Sequence, residues 1–70
     1  MKLKIKITRK QLDELMFQNN IDTIALLAEQ IDLVPESIYR LFRSYTTTLK
    51  TAKLISLKLK QKPDDLFKVV

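Results

Sequence analysis

The chain begins with a strict alternation of polar and apolar side chains. In Lys2-Leu3-Lys4-Ile5-Lys6-Ile7 a lysine occupies every second position and Leu or Ile the positions between. A period of two is typical of a β-strand that buries one face. The pattern therefore predicts a strand over residues 2–7, whose outward lysines protect a sheet edge against aggregation.

From residue 8 onward the apolar positions recur every three to four residues, which predicts a first helix over residues 9–19. Thr8 and Gln11 have the spacing of a capping box at its start. Asn19-Asn20 ends it, because Asn is the common substitute for Gly at a helix C-terminus. The inward stripe consists of Leu12, Leu15 and Met16.

Three more helices are predicted from the same period. Asp22 or Thr23 caps the second helix, and Pro35 stands in the first turn of the third, which covers about residues 35–43. A polar connection over residues 44–48 supplies a Thr cap for the fourth, over about residues 48–60. The inward residues are Leu27, Ala28 and Ile31 in the second helix, and Ile38, Leu41 and Phe42 in the third. In the fourth helix they are Leu49, Ala52, Ile55 and Leu59.

The last ten residues predict two short elements. Pro63, Asp64 and Asp65 favour the first turn of a helix, because proline and acidic residues suit a helix N-terminus. The apolar residues among 66–70 make a candidate second strand.

Composition excludes several classes of protein. Seventy residues predict one domain, over residues 1–70. The chain has no Cys, His or Gly, so zinc fingers, disulfide scaffolds, Ser-His-Asp catalysis and glycine-rich phosphate loops are not expected. We expect no enzyme, metal or cofactor. With 46% apolar residues and a formal net charge of +5, the chain is predicted to fold and to attract an anionic partner.

The second and third helices are separated only by Asp32-Leu33-Val34, which is typical of a helix-turn-helix. In that arrangement the second helix of the pair enters the DNA major groove. Short helix pairs occur in many small helical proteins, so the spacing alone does not define the function.

The residues around this break resemble the phage Cro/repressor-type (XRE-like) helix-turn-helix family. Its pattern Leu-Ala-Glu-Lys-Leu-Gly-Val-Ser, followed later by Ile and by Ile or Leu, is matched in register by Leu27, Ala28, Glu29, Ile31, Ile38 and Leu41. Residues 49–67 resemble the family's fourth helix and its Asp-Glu-Leu-Phe ending, here Asp64-Asp65-Leu66-Phe67. The resemblance covers about residues 9–67.

This resemblance implies a mainly α fold, with four to five short helices in a lambda-repressor-like helix-turn-helix bundle. One small branch of the family adds a two-stranded ribbon, which here would pair residues 2–7 with about residues 66–70. The chain departs from the family's glycines, with Asp32 in the turn, Arg43-Ser44 after the third helix and Lys60 after the fourth. Ile24 stands near the family's phosphate-contacting Gln.

The resemblance also implies which residues meet DNA. The base-reading positions of the third helix correspond to Glu36, Ser37, Tyr39 and Arg40. The Arg40 fork suits guanine O6 and N7, whereas Glu36 suits cytosine N4. Alternatives remain open: Arg40 paired with Glu36 at i, i+4, and Tyr39 as a half-buried structural residue.

Phosphate contacts are expected from residues around the recognition helix, although capping and helix-dipole roles explain them equally well. These candidates are Thr23, Arg43, Thr47, Lys50 and Lys53. The lysines of the first strand are expected to keep the protein in solution, because the family holds that edge away from the groove.

Leu54 and Leu57 stand at positions of the fourth helix that are usually polar in the family. Either the terminal strands cover them or they form a dimer or partner surface. We favour cover by the strands slightly.

The sequence thus predicts a sequence-specific double-stranded DNA-binding regulator of the repressor/Cro type, acting as a homodimer without a small-molecule ligand. We expect it in the cytoplasm, associated with a bacterial nucleoid and not with membranes. The alternative is a protein-interaction module or antitoxin-like partner with the same fold, for which Leu54 and Leu57 are the supporting residues.

Overall fold

The computed structural model describes residues 2–44 and 46–70. In these two ranges the elements are, in chain order, β1 (Lys2–Ile5), α1 (Arg9–Gln18), α2 (Ile24–Gln30), α3 (Pro35–Ser44), β2 (Thr46–Thr48), α4 (Leu49–Lys58), α5 (Pro63–Leu66) and β3 (Phe67–Val69). The mainly helical class and the positions of the predicted helices are confirmed. Tyr45, which belongs to the predicted polar connection, lies outside the described residues.

The strands form one antiparallel sheet in the order β2-β1-β3. Leu3 pairs with Thr47 on one side and Val69 on the other, and Lys4 pairs with Thr46 and Lys68. The predicted pairing of the first strand with the last is confirmed, but the prediction of only two strands is wrong, because β1 is the central strand of three and not an edge.

The strand bounds differ from the prediction as well. The first strand ends at Ile5 and not at residue 7, and the last covers Phe67–Val69 and not residues 66–70. The additional strand, β2, forms from three consecutive threonines, whose β-branched side chains favour extended backbone. Those residues were predicted to lie in a polar connection.

Threonine caps begin three of the helices. The capping box of α1 is complete: the Gln11 N–H donates to Thr8 Oγ1 over 3.1 Å, and the Thr8 N–H donates to Gln11 Oε1 over 2.8 Å. Thr23 Oγ1 accepts from the Leu26 N–H, and Thr48 Oγ1 from the Thr51 N–H. The predicted caps are confirmed, with Thr23 and not Asp22 at the start of α2.

Three helices end in the same way, each with a non-glycine residue in the left-handed region. These residues are Asn20, Asp32 and Lys60, with φ of 59°, 58° and 58°. After α4, the Lys60 N–H donates to the Leu57 carbonyl over 3.1 Å and the Gln61 N–H to the Ser56 carbonyl over 2.9 Å. This pair of bonds is a Schellman motif, in which glycine is the favoured residue. Asp32 and Lys60 thus adopt the conformation for which the resembling family uses Gly.

Replacement of Lys60 by Gly is expected to stabilise the protein by about 1 kcal/mol. A side chain in the left-handed region costs roughly 1–2 kcal/mol, part of which is offset by the larger entropy of an unfolded Gly. Thermal unfolding should show a midpoint roughly 4–8 °C higher. Lys58→Gly is the matched control, since Gly inside a helix is destabilising by about 1 kcal/mol. Equal loss of stability in both variants would contradict the argument.

In the described part of the chain, a hydrophobic cluster joins the helices to the sheet. Its members are Leu3, Ile5, Leu12, Met16, Ile21, Ile24, Leu27, Ala28, Ile31, Ile38, Leu41, Ala52, Ile55, Leu59, Leu66 and Phe67. Leu49, predicted to face inward, is 36% exposed, whereas Ser56 is fully buried. Ser56 completes the buried stripe of α4 with Ala52, Ile55 and Leu59, which leaves Leu49 at the margin of that stripe.

Candidate nucleic-acid interface

Helix α3 has one buried and one solvent-facing side. Ile38 and Leu41 are 0% and 2% exposed and fix the helix to the core. Glu36, Arg40 and Arg43 follow at i, i+4 and i+7, so they form one line along the exposed side. Of the residues predicted to read bases, Glu36, Tyr39 and Arg40 are therefore solvent-exposed, whereas Ser37 is partly buried.

The position of α3 is fixed by the turn that follows α2. The Leu33 N–H donates to the Ala28 carbonyl over 2.8 Å, and Asp32 adopts the left-handed conformation that this turn requires. Pro35 then occupies the first position of α3, where its fixed φ suits the helix and its missing N–H is not needed. These short-range interactions, together with the buried Ile38 and Leu41, place the start of α3 next to the end of α2.

Glu36 forms an ion pair with Arg43, two turns further along α3. The alternative considered from the sequence, a pair between Glu36 and Arg40, is wrong. Both partners of the observed pair are more than half exposed, so their attraction is weak and open to competition. No described carboxylate lies within ion-pair distance of the Arg40 guanidinium. Arg40 is thus the cation of this line that has no acidic partner in the described part of the chain.

Tyr39 lies at one border of this exposed face and contacts α1. The Arg9 guanidinium carbon is 5.5 Å from the centre of the Tyr39 ring, and the Arg9 Nε–H donates to Asp13 Oδ1 over 3.3 Å. A cation over an aromatic face is a weakly attractive arrangement at an exposed site. Tyr39 is 43% exposed and shares a surface pocket with Thr23 and Phe17. Tyr39 therefore has the half-buried structural position considered from the sequence, and the exposed part of its side chain remains accessible to a partner.

A groove of about 310 Å³ lies at the other border of α3, towards β2 and α4. It is lined by Lys2, Ser37, Arg40, Ser44, Thr46, Thr47, Thr48 and Thr51. Among the described residues, two cations and six hydroxyl-bearing side chains therefore surround this open depression. Such a lining offers hydrogen-bond donors and positive charge to an anion.

The presence of Lys2 in this groove differs from the expectation from the sequence. The lysines of the first strand were expected to lie away from the recognition helix, yet Lys2 and Arg40 line the same groove. The reason is the pairing of β1 with β2, which sets Lys2 opposite Thr48 at the start of α4. The run of three threonines was the signal that could have revealed this pairing.

The remaining phosphate candidates lie around α3 without forming one cluster. The Thr23 hydroxyl caps α2, accepting the Leu26 N–H over 3.0 Å, which leaves its own O–H as a donor. Lys50 and Lys53 are on the exposed side of α4, while Thr51 forms the α4 wall of the groove. Only Thr47 of the five candidates lines the groove.

Leu54 and Leu57 have different surroundings. Leu54 packs against the hydrophobic cluster and is partly buried, whereas Leu57 is 78% exposed. The terminal strands therefore do not cover Leu57, and the explanation that we favoured for both leucines is wrong for this one. Leu57 projects from the side of α4 opposite its buried stripe, because it follows Ile55 by about 200° of helix rotation.

Neither a protein-family model, nor a curated protein, nor a solved structure matches the chain. Within residues 2–44 and 46–70, no helix combines the length and the apolar character that crossing a bilayer demands. The surface of α3 and the groove beside it are the parts of the molecule that bear on function.

Proposed function

We propose that the protein is a sequence-specific double-stranded DNA-binding regulator that inserts α3 into the major groove. The observation that carries the proposal is the exposed line of Glu36, Arg40 and Arg43 on a helix whose other side is fixed in the core. The major groove is about 12 Å wide and admits an α-helix, whose polar side chains then meet the base edges. A net charge of +5 favours approach to the phosphate backbone.

The resemblance to Cro/repressor-type proteins supports the same proposal. Asp32 and Lys60 have positive φ, 58° in each case, at positions where that family has Gly. The turn between α2 and α3 therefore has the backbone conformation that the resemblance implies. A Cro-like helix-turn-helix is the arrangement that we propose for α2 and α3.

Each part of the proposed interface has a separate role. The residues that face the base edges are Glu36, Ser37, Tyr39 and Arg40. The guanidinium of Arg40, which has no acidic partner among the described residues, donates two hydrogen bonds to one guanine. Arg43, released from Glu36, meets a phosphate, as do Thr23, Thr47, Lys50 and Lys53 at either side of α3. Regulation then follows from occupancy: a bound protein blocks access to a promoter.

Leu57 supports the proposal that two copies bind together. A leucine that is 78% exposed on α4 is a candidate contact between copies. Two recognition helices about 34 Å apart would read half-sites in successive major grooves. The same residue supports the second candidate function, a module that binds another protein, because an exposed leucine serves either partner.

Selection from a randomised duplex pool tests the proposal. The purified chain should enrich one motif, and a two-fold motif with half-sites one helical turn apart is the expected result for a dimer. Enrichment should be repeated at two salt concentrations, because contacts to phosphates alone weaken steeply with salt and select no sequence. Binding without any enriched motif would contradict sequence-specific recognition. Binding to a protein partner with no affinity for duplex DNA would favour the second candidate function.

A further inference from the structure

The outer face of the three-stranded sheet has an unbalanced positive charge. Lys2 and Lys4 project from the same face of β1, and residues paired directly across strands share a face. Their partners are Thr48 for Lys2, and Thr46 and Lys68 for Lys4. All three lysines are exposed, and none of the paired positions on this face holds an Asp or Glu. We call Lys2, Lys4 and Lys68 the lysine face.

Lys4 and Lys68 form a direct cross-strand pair of like charges. Such a pair is destabilising in the free protein, whereas an acidic residue at either position would be stabilising. Lys6, which directly follows β1, differs from them, because its Nζ donates to the Asp64 carbonyl over 2.9 Å. The lysine face thus holds cations whose charges repel one another and would be satisfied by an external polyanion.

The lysine face is continuous with the surface of α3. Lys2 belongs to the face and also lines the groove that contains Arg40. Thr46 and Thr48, which pair with Lys4 and Lys2, line the same groove. A rigid, linear polyanion lying along α3 would therefore pass directly onto the sheet. A DNA duplex has this shape and charge, whereas a small anion would occupy only the groove.

We infer that the lysine face is a second DNA-contacting surface, which binds the phosphate backbone beside the base pairs that α3 reads. This inference rests on the proposed function of α3 and extends it. In this arrangement α3 recognises the base sequence, and the sheet adds affinity that does not depend on the sequence. Each phosphate neutralised by a lysine releases counterions and steepens the dependence of binding on salt.

The test compares the wild-type chain with the triple variant Lys2→Gln, Lys4→Gln, Lys68→Gln. Affinity for a random-sequence duplex, and for the selected duplex, is measured by fluorescence anisotropy between about 50 and 200 mM salt. Three lost contacts should reduce the slope of log K against log salt by about 2–3 and weaken binding at least about tenfold at the lower salt. The motif selected from the random pool should stay unchanged.

The control is a second triple variant with the same loss of charge, Lys10→Gln, Lys58→Gln, Lys62→Gln. These lysines are exposed on α1, at the end of α4 and before α5, outside the lysine face and the groove. Its slope should change by less than about 1. Thermal unfolding separates binding from folding, because loss of the Lys4–Lys68 repulsion should leave the lysine-face variant at least as stable as wild type.

Four outcomes would overturn the inference. Equal losses in the two triple variants would show an effect of net charge alone. An unchanged lysine-face variant would remove the sheet from the interface and leave the proposed function of α3 intact. Failure of the wild-type chain to bind any duplex would remove both proposals. Finally, the lysine-face variant could bind DNA normally but lose binding to phosphatidylcholine vesicles that contain about 30% phosphatidylserine. This result would show that the lysine face binds a lipid surface.

Discussion

Replacement of Arg40 by Ala is expected to change which DNA sequences the protein selects. The Arg40 guanidinium is exposed on α3, lines the groove beside β2 and has no acidic partner among the described residues. A bidentate contact from Arg to guanine discriminates against other bases by about 1–3 kcal/mol. The preferred duplex should therefore bind Arg40→Ala on the order of tenfold to a hundredfold more weakly. Duplexes mutated at the guanine should bind both proteins alike.

Arg43→Ala is the matched control, because it removes the same side chain one turn further along α3. Arg43 is paired with Glu36 and is proposed to meet a phosphate. Its loss should weaken binding to every duplex by a similar factor and lower the salt slope by about 1, without changing the selected motif.

The two variants are compared by binding titrations with a set of single-base mutants of the selected duplex. If Arg40→Ala and Arg43→Ala weaken all duplexes uniformly, then α3 contacts only the backbone. If Arg43→Ala alone relaxes the motif, the base-reading end of α3 lies one turn further along than proposed. Either result would replace the present assignment of Arg40.

Local sequence signals were sufficient for the helices. The capping box of Thr8 and Gln11, the Thr caps of α2 and α4 and Pro35 in the first turn of α3 all act over three or four residues. The structure confirms the positions of those helices within one or two residues, because the interactions that begin a helix are contained in its own sequence. Leu27, Ala28, Ile31, Ile38 and Leu41 are buried as their period predicts, whereas Phe42 is only partly buried and the buried Ile24 was not predicted to face inward.

The sheet could not be predicted in full, because its pairing joins distant parts of the chain. The alternation in residues 2–7 indicated which lysines face outward, but it carries no information on how many strands flank β1. The pairing of Leu3 with Thr47 spans most of the chain. This error matters for function, since β2 is what brings Lys2 to the groove that contains Arg40.

The candidate site was likewise predictable only in part. Glu36 and Arg40 of the exposed line on α3 were predicted among the base-reading residues, whereas Arg43 was predicted to contact a phosphate. Partners within the line were not predictable, because Glu36 has cations at both i+4 and i+7 and the structure pairs it with the second. Spacing states which side chains are within reach, whereas rotamers decide which of them meet.

Replacement of Leu27 by Ala is expected to lower the free energy of unfolding by about 2–5 kcal/mol. Leu27 is fully buried in α2, and Ile38, also 0% exposed, is its counterpart in the buried side of α3. A domain of this size has a total stability of roughly 3–10 kcal/mol, so the loss is a large fraction of it. The unfolding midpoint should fall by more than about 10 °C, measured by circular dichroism.

Ser56→Ala is the control for Leu27→Ala, because it substitutes another fully buried residue without removing apolar packing. Ser56 is also fully buried, and its hydroxyl has no hydrogen-bond partner among the described residues. Removing an unpaired hydroxyl leaves almost no cavity and relieves a desolvation penalty of about 1–3 kcal/mol, so this variant should equal or exceed wild type in stability.

Leu27→Ala also tests how the packing of α2 affects DNA binding. Leu27→Ala should weaken DNA binding only through the fraction of unfolded chain, because Leu27 is fully buried and cannot itself contact DNA. At a temperature where the variant is still folded, its selected motif should therefore equal that of wild type. A changed motif in the folded variant would show that α2 sets the orientation of α3 on DNA as well as its stability.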